Sequence, residues 1–425
     1  MLEEILDRRN IEKALVQVER NKGAAGIDGM QYNELRPYIN SEWQELKKSI
    51  LEGRYQPQPV RKVEIPKPKG GTRMLGIPTV LDRMVQQAIT QWLTPLYDSG
   101  FSNRSYGFRP NRNAHHAVLQ AQTFINEGKQ WIVELDLEKF FDRVNHDKLM
   151  NLLARKIADK RTLKLMRGYL SSGIMEGGVI STRSAGTPQG SPVSPILSNI
   201  VLNELDQEIE KRGHAFVRYA DDCSLYVNSE KAASRVKESI TSFIETVLLL
   251  KVNREKTKIS NPQQSTLLGF SFTTYKGSWV IKIARSSVDK MKEKCWFITK
   301  RNNPLSEEER IAKLNSITRG WVTYFAIAQA LVTMRNMDSK LRSRLRMCKW
   351  KQWKKGKTRH RNLLQLGAKK RDARVWAWAK GSYCRVANSY ILCQTLTVAY
   401  FRKQGYIGFH EFYQQQRNDK QFKLF

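Results

Sequence analysis

Apolar positions along this chain change period several times, and each change predicts an element. Residues 1–50 carry them at helical spacing, interrupted by NKGAAGIDG (21–29), a Gly-rich turn between helices. Residues 57–80 turn extended: PQPVRKVEIP and TRMLGIP are β runs joined by the basic turn KPKGG. VLDRMVQQAITQWLTPLYD (80–98) returns to a helical period. WIVELDL (131–137) reads as a strand, followed by polar helical sequence to about residue 170. SPILSNIVLNELDQEIEKRG (194–213) predicts a helix closed by Gly213. HAFVRYADDCSLYV (214–227) is two β runs about a polar turn, a hairpin. A helix over 231–250 and a second hairpin in LLGFSFTTYKGSWVIKI (267–283) follow. Beyond about residue 285 the pattern is helical, Trp-rich and basic, which places a domain boundary near 283–300.

Charge narrows the partners. The 425 residues hold 73 Lys plus Arg against 40 Asp plus Glu, a net +33. A compact body with that excess repels itself, so a polyanion partner is expected. Nucleic acid fits better than a membrane, because the cations are spread along the chain and no apolar run approaches the ~20 residues of a spanning helix. Residues 340–374 alone hold 15 Lys plus Arg and one acid. The five cysteines lack zinc-finger spacing and the six histidines form no metal motif, so neither is expected to bind metal. The N-terminus lacks the apolar stretch of a signal peptide, and a cytoplasmic, reduced protein is expected.

The candidate chemistry is acidic. Asp221 and Asp222 sit side by side in the hairpin turn, where neighbouring carboxylates raise each other's pKa unless a cation lies between them. A solvated turn is the commoner reading of that dipeptide alone. The strand WIVELDL changes the balance. It ends near Asp136, and a hairpin beside it brings Asp136 next to Asp221 and Asp222. Three carboxylates form a hard-oxygen cage for two Mg²⁺ ions, the requirement of in-line phosphoryl displacement.

Y-A-D-D flanked by β residues resembles the palm motif of reverse transcriptases. Other blocks stand in that family's order: IPKPKGGTRMLGIPTVLDRMVQQAI (65–89), SYGFRPNRNAHHAV (105–118), LDLEKFFDRVNHDKL (135–149), GTPQGSPVSPILSNI (186–200), LKVNREKTKI (250–259) and LLGFSF (267–272). NKGAAGIDG, RGWVTYF (319–325) and RLRMCKWKQWKKGKTR (344–359) are similar to the N-terminal block and the thumb, or maturase, domain of group II intron enzymes. The likeness is to the group IIC-like members without an endonuclease domain.

The resemblance implies an α+β right-hand polymerase followed by an α-helical thumb. Its expected divisions are N-terminal extension and fingers (1–80), fingers and palm (81–283), thumb or maturase domain (284–375) and a short basic DNA-binding-like segment (376–425). Asp136, Asp221 and Asp222 would hold two Mg²⁺, with the Leu137 carbonyl as a further ligand. Arg61, Lys67 and Arg73 would grip the dNTP triphosphate; each is also explicable as basic surface. Phe141 would exclude a 2′-hydroxyl, Gln189 would contact the nucleotide, and Lys256 would protonate the leaving pyrophosphate. Ser191 departs from a family that often has a second Gly after P-Q-G. Arg344, Arg346, Lys349, Lys351, Lys354 and Lys355 would bind RNA, although a bundle with Trp in its core and a solvated basic face explains the same residues.

Expected partners are an RNA template, a DNA or RNA primer, dNTPs, the group II intron RNA whose splicing it would assist, and target DNA, with the chain a monomer or homodimer. The chain ends without the Cys pairs and H-N-H pattern of an appended endonuclease, so retrohoming would use a primer already present at the target. The alternatives are a related enzyme recruited to host defence or repair, a non-enzymatic RNA-binding splicing factor, and a DNA-templated polymerase.

Overall fold

The computed structural model describes residues 1–66, 70–176, 179–181, 185–187, 190–379 and 381–418, with the backbone alone at Arg73 and Val179. Two compact units divide between Asn261 and Pro262. The strands in chain order are β1 (Val60–Pro66), β2 (Thr72–Ile77), β3 (Trp131–Leu135), β4 (Ile174–Glu176), β5 (Val179–Ser181), β6 (Ala215–Tyr219), β7 (Asp222–Val227), β8 (Lys258–Ser260), β9 (Phe270–Tyr275) and β10 (Ser278–Ile283).

The first unit contains two four-stranded sheets, ordered β2-β1-β4-β5 and β6-β7-β3-β8. β3 runs antiparallel to both β7 and β8. That central place buries Ile132, Val133 and Leu135 on both faces, so the strand alternates poorly in sequence. The helix Val80–Asp98 starts on a reciprocal cap. The Thr79 hydroxyl accepts from Asp82 N (3.0 Å), and the Asp82 carboxylate accepts from Thr79 Oγ1, Tyr55 OH and Gln58 N at 2.8, 2.7 and 3.1 Å. The helix Ser194–Lys211 is buried on several faces. Its buried polar residues, Asn199 and Asp206 among them, therefore need internal partners.

The second unit is a hairpin with helices. β9 and β10 join through Lys276 and Gly277, both at positive φ (49° and 80°), the backbone a tight hairpin requires. Phe270 packs on Tyr324 and Phe325 of the helix Glu307–Phe325, with ring centroids 5.3 and 4.8 Å apart. The hairpin therefore belongs with the helices, and the division falls before it rather than at 283–300. The sequence beyond 375 is likewise part of this unit, not a separate segment. Asp338 accepts from Tyr406 OH, Phe409 N and His410 N at 3.0, 2.8 and 2.8 Å, and Tyr413 OH donates to Ala328 O at 2.6 Å. Trp350 and Trp353 are core residues, whereas Trp378 is exposed.

Candidate active site

The last residue pair between β3 and β7 is Leu135 with Cys223, so the next step of the register sets Asp136 opposite Asp222. The β6–β7 hairpin closes on Tyr219 and Asp222, leaving Ala220 and Asp221 as its two-residue turn. Ala220 has φ +58°, the left-handed backbone such a turn needs, at a cost of roughly 1–2 kcal/mol for a residue with a side chain. Gly107 makes that turn possible. A Cβ there would lie 2.3 Å from Ala220 N and 3.0 Å from the Tyr219 carbonyl carbon. Asp136 is pinned through its backbone: its N–H donates to Thr257 Oγ1 (3.1 Å) and its carbonyl accepts from Asn253 N (2.8 Å).

The three acids press on one another. Crowding by protein pushes the Asp222 carboxyl up to about 6, reinforced by the charges of Asp221, Asp136 and Glu134. Asp222 retains solvent access, so the repulsion between acids is the sturdier part of that shift. Lys256 is the nearby cation, with Nζ 3.6 Å from Asp136 Oδ1 and its side chain largely exposed. Among the described residues no three acidic, His or Cys groups already stand as a closed metal cage. The donor chemistry nevertheless fits a hard divalent cation. Asp221 and Asp222 have no ion-pair partner among the described residues, and closing carboxylates of like charge requires a cation between them. Glu138 N–H donates to Lys251 O, and Asn253 N–H to Asp136 O, on either side of the Leu137–Val252 pair; the Leu137 carbonyl is thus left out of that ladder.

Backbone contacts lead from the acids toward the β1–β2 sheet. Phe140 enters the core while Phe141 stays half-buried, their rings 5.2 Å apart. Phe141 O accepts from Thr187 N (2.6 Å), and Gly186, at φ +88°, would clash with Phe141 O if it carried a Cβ. A Cβ on Gly190 would lie 3.0 Å from Gly76 O of β2. The departure at Ser191 has a local explanation: its hydroxyl bonds buried Gln86, and Thr90 Oγ1 donates to Pro192 O (3.2 Å), both from one face of the helix Val80–Asp98. These partners carried no signal in the sequence, because the contacts are about 100 residues apart. Arg61 lies on β1 with its Nε buried and without a hydrogen-bond partner among the described residues. It lines a 440 Å³ cavity with Gly26, Gly29, Lys62 and the acids Glu64 and Glu176, with which Lys62 pairs. Lys67 and Gln189 lie outside the described residues, as does the side chain of Arg73.

In the second unit several basic side chains have structural partners. Arg344 donates to Thr299 Oγ1 (2.6 Å), Arg346 to Leu396 O (3.1 Å), and Lys349 pairs with Glu307. Lys351 bonds Asn302 Oδ1 at 2.9 Å. Lys354, Lys355, Lys357 and Arg361 are exposed.

Residues 65–272 match the family model for reverse transcriptase (RNA-dependent DNA polymerase), and residues 288–367 match the group II intron maturase-specific domain. Protein YkfC of Escherichia coli K12 is 36% identical, the match covering 56% of this chain and 73% of YkfC. The chain belongs to the group II intron-type reverse transcriptases. This reverse transcriptase is also 28% identical to the group II intron-encoded protein LtrA of Lactococcus lactis, over 59% of the chain and 52% of LtrA, so it spans about half of that relative's length. The putative COX1/OXI3 intron 2 protein of Saccharomyces cerevisiae is 36% identical over 45% of the chain and 22% of its own length. Among solved structures, a chain of a partial Cas6-RT-Cas1–Cas2 complex is 26% identical with a TM-score of 0.38, covering 58% of this chain and 42% of that one. The reverse transcriptase domain is that of an RNA-directed DNA polymerase, a family that works with divalent metal ions. No helix among the described residues is long and apolar enough to cross a membrane.

Proposed function

We propose that this reverse transcriptase extends a primer on an RNA template with dNTPs, using Asp136, Asp221 and Asp222 as the metal-binding acids. The observation that carries this reading is the register that sets Asp136 opposite Asp222, at the end of a hairpin whose two-residue turn carries Asp221. Two Mg²⁺ held there would supply activation of the primer 3′-hydroxyl and stabilisation of the departing oxygen. The primer 3′-hydroxyl loses its proton to solvent, its oxygen bonds to the α-phosphorus, the bond to the bridging oxygen breaks, and pyrophosphate leaves. Lys256, which lies beside Asp136, is assigned by resemblance to give that pyrophosphate a proton. Arg61, Arg73, Lys67 and Gln189 are assigned to the incoming nucleotide by resemblance. Phe141, half-buried and tied to the 185–187 segment, is the sugar gate.

In the helical unit, Lys354, Lys355 and their exposed neighbours bind the phosphates of group II intron RNA, and the chain assists that RNA's splicing. The experiment is primer extension on an RNA template with dNTPs and Mg²⁺, comparing wild type with an Asp221→Asn/Asp222→Asn variant and measuring RNA binding by both. Extension by wild type alone, with RNA binding equal, supports the reading. Tight RNA binding without extension by either replaces the polymerase with a splicing cofactor.

A further inference from the structure

An arginine two residues before the acidic turn has no contact with solvent at all. Arg218, on β6, is among the largest fully buried side chains in the protein. Its Nε and one terminal nitrogen donate to Asp206 Oδ1 and Oδ2 at 2.7 and 2.5 Å, a bidentate pair with both side chains wholly buried. The other terminal nitrogen donates to Asn199 Oδ1 (3.0 Å) and to the Ala220 carbonyl (2.9 Å). Asn199 Nδ2 in turn donates to Gly107 O (2.9 Å), on the loop that abuts the turn. The Arg218 backbone bonds both ways with that loop, through Arg104 O and Tyr106 N at 2.9 Å each. One guanidinium therefore ties the helix Ser194–Lys211, the loop near Gly107 and the turn itself.

Stability alone is a poor reason for such an arrangement, because an apolar pair of similar volume usually serves as well as a buried ion pair. What a guanidinium adds is a rigid fork that fixes several acceptors at once. The turn it holds has reasons to relax: Ala220 is left-handed without being glycine, and Asp222 is crowded by three like charges. We propose that Arg218 is a positioning residue of the polymerase site, holding the Ala220 carbonyl so that Asp221 and Asp222 present their carboxylates to metal beside Asp136. The inference rests on the reading of those aspartates as the metal-binding acids.

The test uses the full chain with Arg218→Lys, which keeps the charge and loses the fork. Mn²⁺ binding is titrated by EPR against the Asp221→Asn/Asp222→Asn blank, and single-turnover extension is followed across Mg²⁺ concentration. Primer–template affinity is measured alongside. The expected result is Mn²⁺ affinity about 10-fold weaker, a range typical of lost outer-sphere support, with a matching rise in the Mg²⁺ midpoint. Excess Mg²⁺ recovers most of the extension rate, and primer–template affinity stays within about twofold. Should Arg218→Lys fail to fold, Asn199→Ala decides. It leaves the ion pair and removes the link to Gly107, and a roughly threefold shift in the same direction is expected. Wild-type Mn²⁺ affinity in a folded variant overturns the proposal, whatever its melting temperature. A wild-type chain that extends no primer overturns the polymerase reading instead, and Mn²⁺ binding still decides this one.

Discussion

Removing one member of the Arg218–Asp206 pair should damage the protein more than removing both. In Asp206→Asn the guanidinium keeps its charge with no solvent access and loses its carboxylate, a class of change that costs about 3–5 kcal/mol. The paired replacement Arg218→Met/Asp206→Leu removes both charges. It leaves the Ala220 carbonyl and Asn199 Oδ1 each short of a donor, at about 1–3 kcal/mol apiece, against which apolar replacement of a buried ion pair commonly returns about 1–4 kcal/mol. Arg218→Met alone has an escape, because Asp206 can take a proton: burial already pushes its carboxyl up, against the pull of Arg218. Its folded carboxyl then stays above the unfolded value. Stability is retained at low pH and lost as pH rises, so the deficit of this variant is smaller at pH 5 than at pH 8. Hydrogen exchange of peptides across 194–227 is the suitable assay, since it reports opening of this region and not of the second unit. The double variant is expected to protect these amides better than Asp206→Asn, yet to stay slow in primer extension because nothing holds the Ala220 carbonyl. A double variant no more protected than Asp206→Asn, or an Asp206→Asn cost below about 1 kcal/mol, would refute the reasoning.

Four further outcomes are expected. The Asp159 carboxyl is opposed by burial but held down to about 2 by the Leu2 N–H and by Arg161; its stabilisation is present above pH 4 and lost as pH falls through about 2. Asp159→Asn should therefore lose about 2 kcal/mol at pH 7 and converge on wild type in acid, which urea titration at several pH values checks. Phe141→Ala should bring ribonucleotide incorporation at least about 10-fold closer to deoxynucleotide incorporation in competition assays; unchanged selectivity would free Phe141 from the gate role. Ser191→Gly leaves buried Gln86 without that partner and should cost about 1–3 kcal/mol of stability while raising the KM for dNTP a few-fold; an unchanged KM would leave that bond purely structural. Replacing Lys354 and Lys355 with Gln should lessen the slope of log RNA affinity against log salt by roughly 0.7–0.9 for each phosphate no longer neutralised, whereas Arg344→Gln should mainly lower melting temperature, because Arg344 is engaged with Thr299.

Much of the local architecture was legible in the chain, because it depends on near neighbours. The helix over 80–98, the hairpins about Ala220-Asp221 and Lys276-Gly277, and the strand beginning at Trp131 follow from periodicity and turn residues that act within a few positions. The motif blocks in their order were enough to name the family. Short β4 and β5 were not legible, since three-residue strands carry too little pattern and form only when β1 offers an edge. Nor was the division at 261/262: Phe270 looks the same in sequence whether it packs on the sheet before it or on Phe325 after it. The basic run over 340–374 revealed charge but not employment, and only packing separates Arg344, bound to Thr299, from exposed Lys354. Arg218 shows the limit most plainly. In sequence it is one more cation among 73 Lys plus Arg. The tertiary structure removes it from water, and a buried charge must find its partners wherever the fold brings them, here Asp206 and Asn199 on a helix and the Ala220 carbonyl in the acidic turn.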